Sequence, residues 1–136
     1  MKRFVLTGFV LLSLSACQLP PERLPLQRLP ENGPPLPYAE LLTRARAQAT
    51  IATEAFYVNR WADLEDSAVG LEQTARFLKT AEDVPATHKD TLPVVSGDLR
   101  KEATKLRAAA QTKNVKEAND TLQRIHLMVR ELRLTK

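Results

Sequence analysis

WADLEDSAVGLEQTARFL, residues 61–78, places Trp61, Leu64, Ala68, Leu71, Ala75 and Leu78 at alternating spacings of three and four, with polar and charged residues between them. That period puts all six on one stripe of an α-helix, the seam by which near-parallel or antiparallel helices join through knobs into holes. The same rhythm recurs on either side. Upstream, Tyr38, Leu42, Ala45, Ala49, Ala52 and Phe56 mark a first helix. Downstream, Val95, Leu99, Ala103, Leu106 and Ala110 mark a third, and Val115, Ala118, Leu122, Ile125, Val129 and Leu132 a fourth. The breaks centred on Asn59 and Asn114 are short, which forces antiparallel neighbours, and asparagine suits a helix terminus. The middle break is longer: residues 82–90 hold Pro85 and His88, with His88 expected in solvent, while Thr91 and Pro93 suit the opening of the third helix. The expected fold is all-α, an up-down-up-down antiparallel four-helix bundle over residues 38–136.

Ahead of the bundle the composition changes. Seven of the nine prolines fall between Pro20 and Pro37, with Asn32-Gly33 among them. Proline fixes φ and removes backbone donors, so residues 17–37 read as an extended linker that reaches up to roughly 60 Å at about 3 Å per residue. Before the linker stand the basic Lys2 and Arg3, a short apolar run over residues 4–12, and Leu14-Ser15-Ala16-Cys17. The run is too short to span a bilayer, and a basic start, apolar core and small-residue exit form the layout of a cleaved export signal over residues 1–16.

The four residues ending at Cys17 resemble the lipobox of bacterial lipoproteins. The resemblance implies that Cys17 becomes the mature N-terminus and carries lipid, three acyl chains (palmitate among them) if processing is complete. Multiple chains make such an anchor stable, since each buried CH₂ contributes about 0.8 kcal/mol. It implies a bacterial cell-envelope location, and Gln18 in place of an aspartate favours the periplasmic face of the outer membrane.

Charge and composition exclude several functions. Of the 20 basic residues, Lys2 and Arg3 fall in the leader, which leaves 18 against 16 acidic and a balance of +2. Lys and Arg alternate with Asp and Glu along every helix instead of forming the basic stripe of a nucleic-acid reader, so no nucleic-acid partner is expected. Cys17 is the only cysteine, which removes disulfides, thiolate metal clusters and a cysteine nucleophile from the folded part. Two histidines in different segments supply no zinc set, and no Glu-x-x-His pair of the di-iron bundles occurs. With no GxSxG, P-loop or dinucleotide fingerprint, no enzyme is expected.

One constellation bears on a cofactor. Leu122-Gln123-Arg124-Ile125-His126, with Arg130 four residues further on, resembles the last helix of the cytochrome c-prime-like and b-type four-helix cytochromes. Leu122 and Ile125 stand where the haem-attachment cysteines would be, so the resemblance implies at most a non-covalent haem b with His126 as axial iron ligand and Arg130 beside it. Read from the residues themselves, His126 is a partly buried histidine at the edge of the core, hydrogen-bonded to a carbonyl or a neighbouring side chain, and Arg130 faces solvent. On that reading no cofactor is expected, and the bundle is a non-enzymatic binding or adaptor module for an envelope protein partner. The alternative is a haem-binding electron carrier or gas sensor.

Placing a charge in the seam tests its register: Leu71→Asp buries an unpaired carboxylate at a cost on the order of 5 kcal/mol, comparable to the whole stability of a small domain. The variant is expected to lose helical circular dichroism at 25 °C, and a native-like melting curve would refute the register.

Overall fold

Alanine, leucine, glutamate and arginine, all strong helix formers, dominate the chain after Pro37. Four helices result in the computed structural model, which describes residues 26–133: α1 (Tyr38–Tyr57), α2 (Trp61–Leu78), α3 (Leu92–Gln111) and α4 (Val115–Arg133). The turns α1–α2 and α3–α4 share one geometry. Asn59 (φ 57°) and Lys113 (φ 52°) take the left-handed conformation. In each turn the following residue donates its N–H five positions back, Arg60 to the Ala55 carbonyl at 2.8 Å and Asn114 to the Ala109 carbonyl at 2.9 Å. This Schellman closure satisfies carbonyls that a helix end leaves unpaired. Asn114 then caps α4, its side-chain oxygen accepting from the Glu117 N–H at 3.1 Å.

Each helix packs on its sequence neighbour, α1 closes the ring against α4, and neither diagonal pair touches. Cross-helix partners fix the antiparallel directions: Glu65 with Gln111 and Glu72 with Arg107 between α2 and α3, Tyr38 with Leu132 and Thr53 with His126 between α1 and α4. The protein is a four-helix bundle. Among the described residues no helix is long and apolar enough to cross a membrane.

Leu41, Leu64, Leu71, Leu78, Leu99, Leu106 and Ile125 are fully buried at its centre. The seam of α2 is met at every position save Trp61, which is half-buried and sits edge-on to Phe56 with ring centroids 6.1 Å apart. On α1 the buried stripe is broader than a two-position heptad seam. It runs through Leu41, Ala45, Gln48, Ala49, Ala52 and Ala55, while Leu42 and Phe56 are only half-buried. A helix that touches two neighbours buries a wider arc than a single seam supplies. Val115, expected in the core, is 57% exposed because it is the first residue of α4, beyond the reach of α1 and α3.

Alanine dominates the core face of α1, and its one long polar member is Gln48. The Gln48 Oε1 accepts a 2.9 Å hydrogen bond from the fully buried Thr74 hydroxyl of α2. Gly70 makes room for the amide: a Cβ there would meet Gln48 Nε2 at 2.7 Å.

At the opposite end from the two short turns, three segments converge on Tyr38. Its N–H donates to the Glu82 carbonyl (2.8 Å), the Glu82 N–H donates to the Leu36 carbonyl (3.0 Å), and a parallel bridge pairs Pro37 with Glu82. The phenol donates to the Leu132 carbonyl at the end of α4, and burial raises its pKa. His88, expected in solvent, is instead buried. It stacks on Tyr38 with ring centroids 6.0 Å apart, and its Nε2 has no hydrogen-bond partner. The loop folds back to close this end, and its own bonds, His88 N–H to Pro85 and Leu92 N–H to the His88 carbonyl, hold the imidazole inward.

The proline-rich segment, read as an extended linker up to Pro37, lies against the bundle over its second half, residues 27–37. Leu29 is buried in the core, its N–H donates to Gln73 Oε1 (2.9 Å) and its carbonyl accepts from Gln73 Nε2 (2.6 Å). Arg28 pairs with Asp66 at 3.1 Å, and Arg44 donates to the Gln27 carbonyl. Because Gln73 presents both a donor and an acceptor, it pairs with a linker residue much as a second strand would.

An ion cluster fastens α3 to α4. Glu102 of α3 accepts from Arg124 (2.7 Å) and Lys105 (2.8 Å), and Arg124 also reaches Thr121. Burial pushes the Glu102 carboxyl up, but the hydrogen bonds and charges of Lys105 and Arg124 outweigh it and hold the pKa below its ordinary 4.5.

Two outcomes follow from these contacts. Thr74→Val leaves the buried Gln48 oxygen without its donor and is expected to cost about 2 kcal/mol, whereas adding Gln48→Met restores more than half of the loss. Strictly additive denaturation energies would contradict the buried pair. Glu102 binds protons less readily when folded than when unfolded, so its contribution is complete above about pH 4.5, falls with pH through its depressed folded pKa and is absent below it. Glu102→Gln is expected to lose about 1 kcal/mol at pH 7 and to converge on the parent once the pH falls below the depressed folded pKa. A pH-independent gap would assign the effect to shape alone.

Candidate functional site

The α1–α4 contact is the thinnest in the ring, and along it runs an open groove of about 530 Å³. Leu42 of α1 with Leu127 and Val129 of α4 gives it apolar walls, and Leu127 is 50% exposed. Arg46 of α1 and Arg130 and Arg133 of α4 line it, together with Gln123 and His126, and among the described residues no carboxylate does. Helical geometry explains the grouping, since positions 126, 130 and 133 follow one another at four and three residues on one face of α4, while Leu42 and Arg46 stand one turn apart on α1.

What sets these arginines apart is that they share one groove, since Arg44, Arg76, Lys79, Lys89, Arg100 and Lys113 also lack an acidic partner among the described residues but do not line it. Arg28, Arg60, Lys101, Lys105, Arg107, Lys116 and Arg124 each sit within 4 Å of an acidic side chain. Arg46, Arg130 and Arg133 have no acidic partner among the described residues. Three exposed guanidinium groups, each a rigid fork of donors, therefore converge on a partly apolar groove without internal neutralisation. Such a surface matches carboxylates or phosphates carried on an apolar backbone.

His126 and Arg130 are thus brought together, but on the outer flank of the bundle. His126 is exposed where partial burial was expected, and its Nε2 lies 2.8 Å from the Thr53 hydroxyl, the expected bond to a neighbouring side chain. Thr53 Oγ1 also lies 2.9 Å from the Ala49 carbonyl, and the imidazole tautomer decides whether the ring or the hydroxyl supplies the proton between them. These residues do not fit a haem site. Iron ligation takes a ring-nitrogen lone pair, and Nε2 is engaged by the Thr53 hydroxyl. Ala45, Ala49, Leu122 and Ile125, at the level where a haem would lie between the helices, are all buried in a closed core.

Cys17, the expected lipidation site, lies outside the described residues. Among the described residues no group of three or more His, Cys, Asp or Glu side chains is placed to hold a metal ion. Sequence reasoning singled out His126 and Arg130, with Leu41 or Leu42 as an apolar wall opposite, but missed Arg46, Arg133 and Leu127 as their companions. The signal available for α4 was the 126, 130, 133 spacing. Nothing in the sequence paired that stripe with Arg46, because the pairing arises only when α1 closes against α4. The chain matches no protein-family model, no curated protein and no solved structure.

Proposed function

We propose that the protein is a lipid-anchored adaptor of the bacterial envelope, non-enzymatic, attached through Cys17 to the periplasmic face of the outer membrane. Its α1–α4 groove takes an acidic, amphipathic segment of an envelope protein partner. The observation that carries this reading is the set of three arginines, Arg46, Arg130 and Arg133, left without acidic partners around an apolar groove. An amphipathic helix laid along α1 and α4 places its apolar residues on Leu42 and Leu127 and its carboxylates on the arginines, the helix-in-groove mode of recognition. The lipid fixes where the groove meets its partner.

A photo-crosslinking residue at position 127 of the full-length chain, activated in intact membranes, is expected to give one predominant protein adduct. Arg46→Glu combined with Arg130→Glu replaces two charge-assisted contacts by repulsion, a change of about 2 kcal/mol or roughly thirtyfold in affinity, and removes most of that adduct. Lys101→Glu, on the opposite side of the bundle, leaves it unchanged. An adduct insensitive to the arginine changes, or none at all, defeats the reading.

A further inference from the structure

The docked linker has a direction. From Leu36 back to Arg28, its partners move from Glu82 through Phe77 and Gln73 to Asp66, so the segment climbs alongside α2 toward the end where α2 begins. That end carries both short turns. It also groups three exposed apolar side chains, Tyr57 at 72%, Val58 at 59% and Val115 at 57%, whereas the closed end has only Val94 (66%) exposed to this degree among the described residues. Around them stand Arg60, Lys113 and Lys116. Arg60 and Lys116 have acidic neighbours in Asp63 and Asp120, and Lys113 has none among the described residues.

Length then matters. Eight residues separate Cys17 from Leu26, and the nine steps between them span at most about 30 Å. Leu26 sits about 10–15 Å short of the turn end, judged by a rise of 1.5 Å per residue along α2, so a lipid on Cys17 reaches no more than about 20 Å past it. Docking Leu29 and Arg28 therefore converts a spacer of roughly 60 Å into a short leash that leaves the bundle at one end. We infer that this end, with Tyr57, Val58 and Val115 flanked by Lys113, rests on the surface of the anchoring membrane at the level of anionic phospholipid headgroups. Tyrosine favours that zone because one edge of it is apolar and the other polar, and a lysine is attracted to an anionic leaflet. The orientation holds the α1–α4 groove upright along the membrane normal, with its Arg133 end farthest from the bilayer.

The inference rests on the lipid at Cys17 proposed above, and a single preparation separates the two. Trp61 is the only tryptophan of the chain and stands beside the exposed end, packed on Phe56. The full-length protein, purified from membranes, is first weighed by mass spectrometry and then reconstituted into phosphatidylglycerol-containing vesicles with brominated acyl chains. Lipid on Cys17 with Trp61 emission quenched at least twofold is expected. Tyr57→Ser with Val58→Ser and Val115→Ser abolishes the quenching while leaving the melting temperature and the lipid mass unchanged, and Gln73→Ala, which frees the linker, reduces it. Lipid on Cys17 without quenching overturns the orientation and leaves the anchor standing. An unmodified Cys17 overturns both. Shielding of Trp61 from acrylamide in detergent together with a dimer mass assigns the end to a second copy of the chain, and overturns the membrane contact.

Discussion

The alanine face of α1 is the constraint on which the rest of the bundle depends. Ala45, Ala49, Ala52 and Ala55 are buried to the last ångström of surface, yet a methyl group fills little space. α1 must therefore sit close to its neighbours for the core to be free of voids, since interiors are filled to crystal-like density. It satisfies this mostly against α2, where Gly70 lacks the Cβ that would collide with Gln48 and where Thr74 supplies the hydrogen bond that a buried amide requires. Drawn toward α2, α1 meets α4 along a thinner contact, and the space left outside that contact is the arginine-lined groove.

The two ends of the bundle are built differently, and the difference has functional weight. One end is closed by long-range bonds, with Tyr38 joining the start of α1, the α2–α3 loop and the last turn of α4, and His88 stacked beneath it. The other consists of two Schellman turns with their apolar residues facing outward. Backbone groups buried in the closed end need partners, which is why that end is rich in specific bonds. The turns satisfy their own backbone and are free to present side chains to something else. The docked linker leads toward this second end, so that under the proposed anchor at Cys17 the location and the orientation of the groove become parts of one arrangement.

Much of the fold was legible from residues 61–78 alone. Leu64, Ala68, Leu71, Ala75 and Leu78 are all buried as their spacing predicts, and Asn59 and Asn114 end and begin helices as their chemistry predicts. Periodicity reports which face of a helix is apolar, and short turns report which helices are neighbours. The failures share a cause. His88 looked like a loop residue in solvent, the stretch 26–37 looked like free spacer, and Arg46 looked like any surface arginine. In each case the deciding partner, Tyr38, Gln73 or the 126–133 stripe, is distant in the chain.

By itself the sequence determined four amphipathic helices, their antiparallel order, the absence of cysteine chemistry in the folded part and the lipobox-like signal at Cys17. These follow from local spacing and composition, which no later contact can alter. Only the tertiary structure decided that His126 faces outward with its Nε2 engaged, that three arginines converge without acidic partners, and that the linker is held along α2. Those outcomes depend on how tightly α1 closes on each neighbour, and that distance is set by the shared core rather than by any one segment.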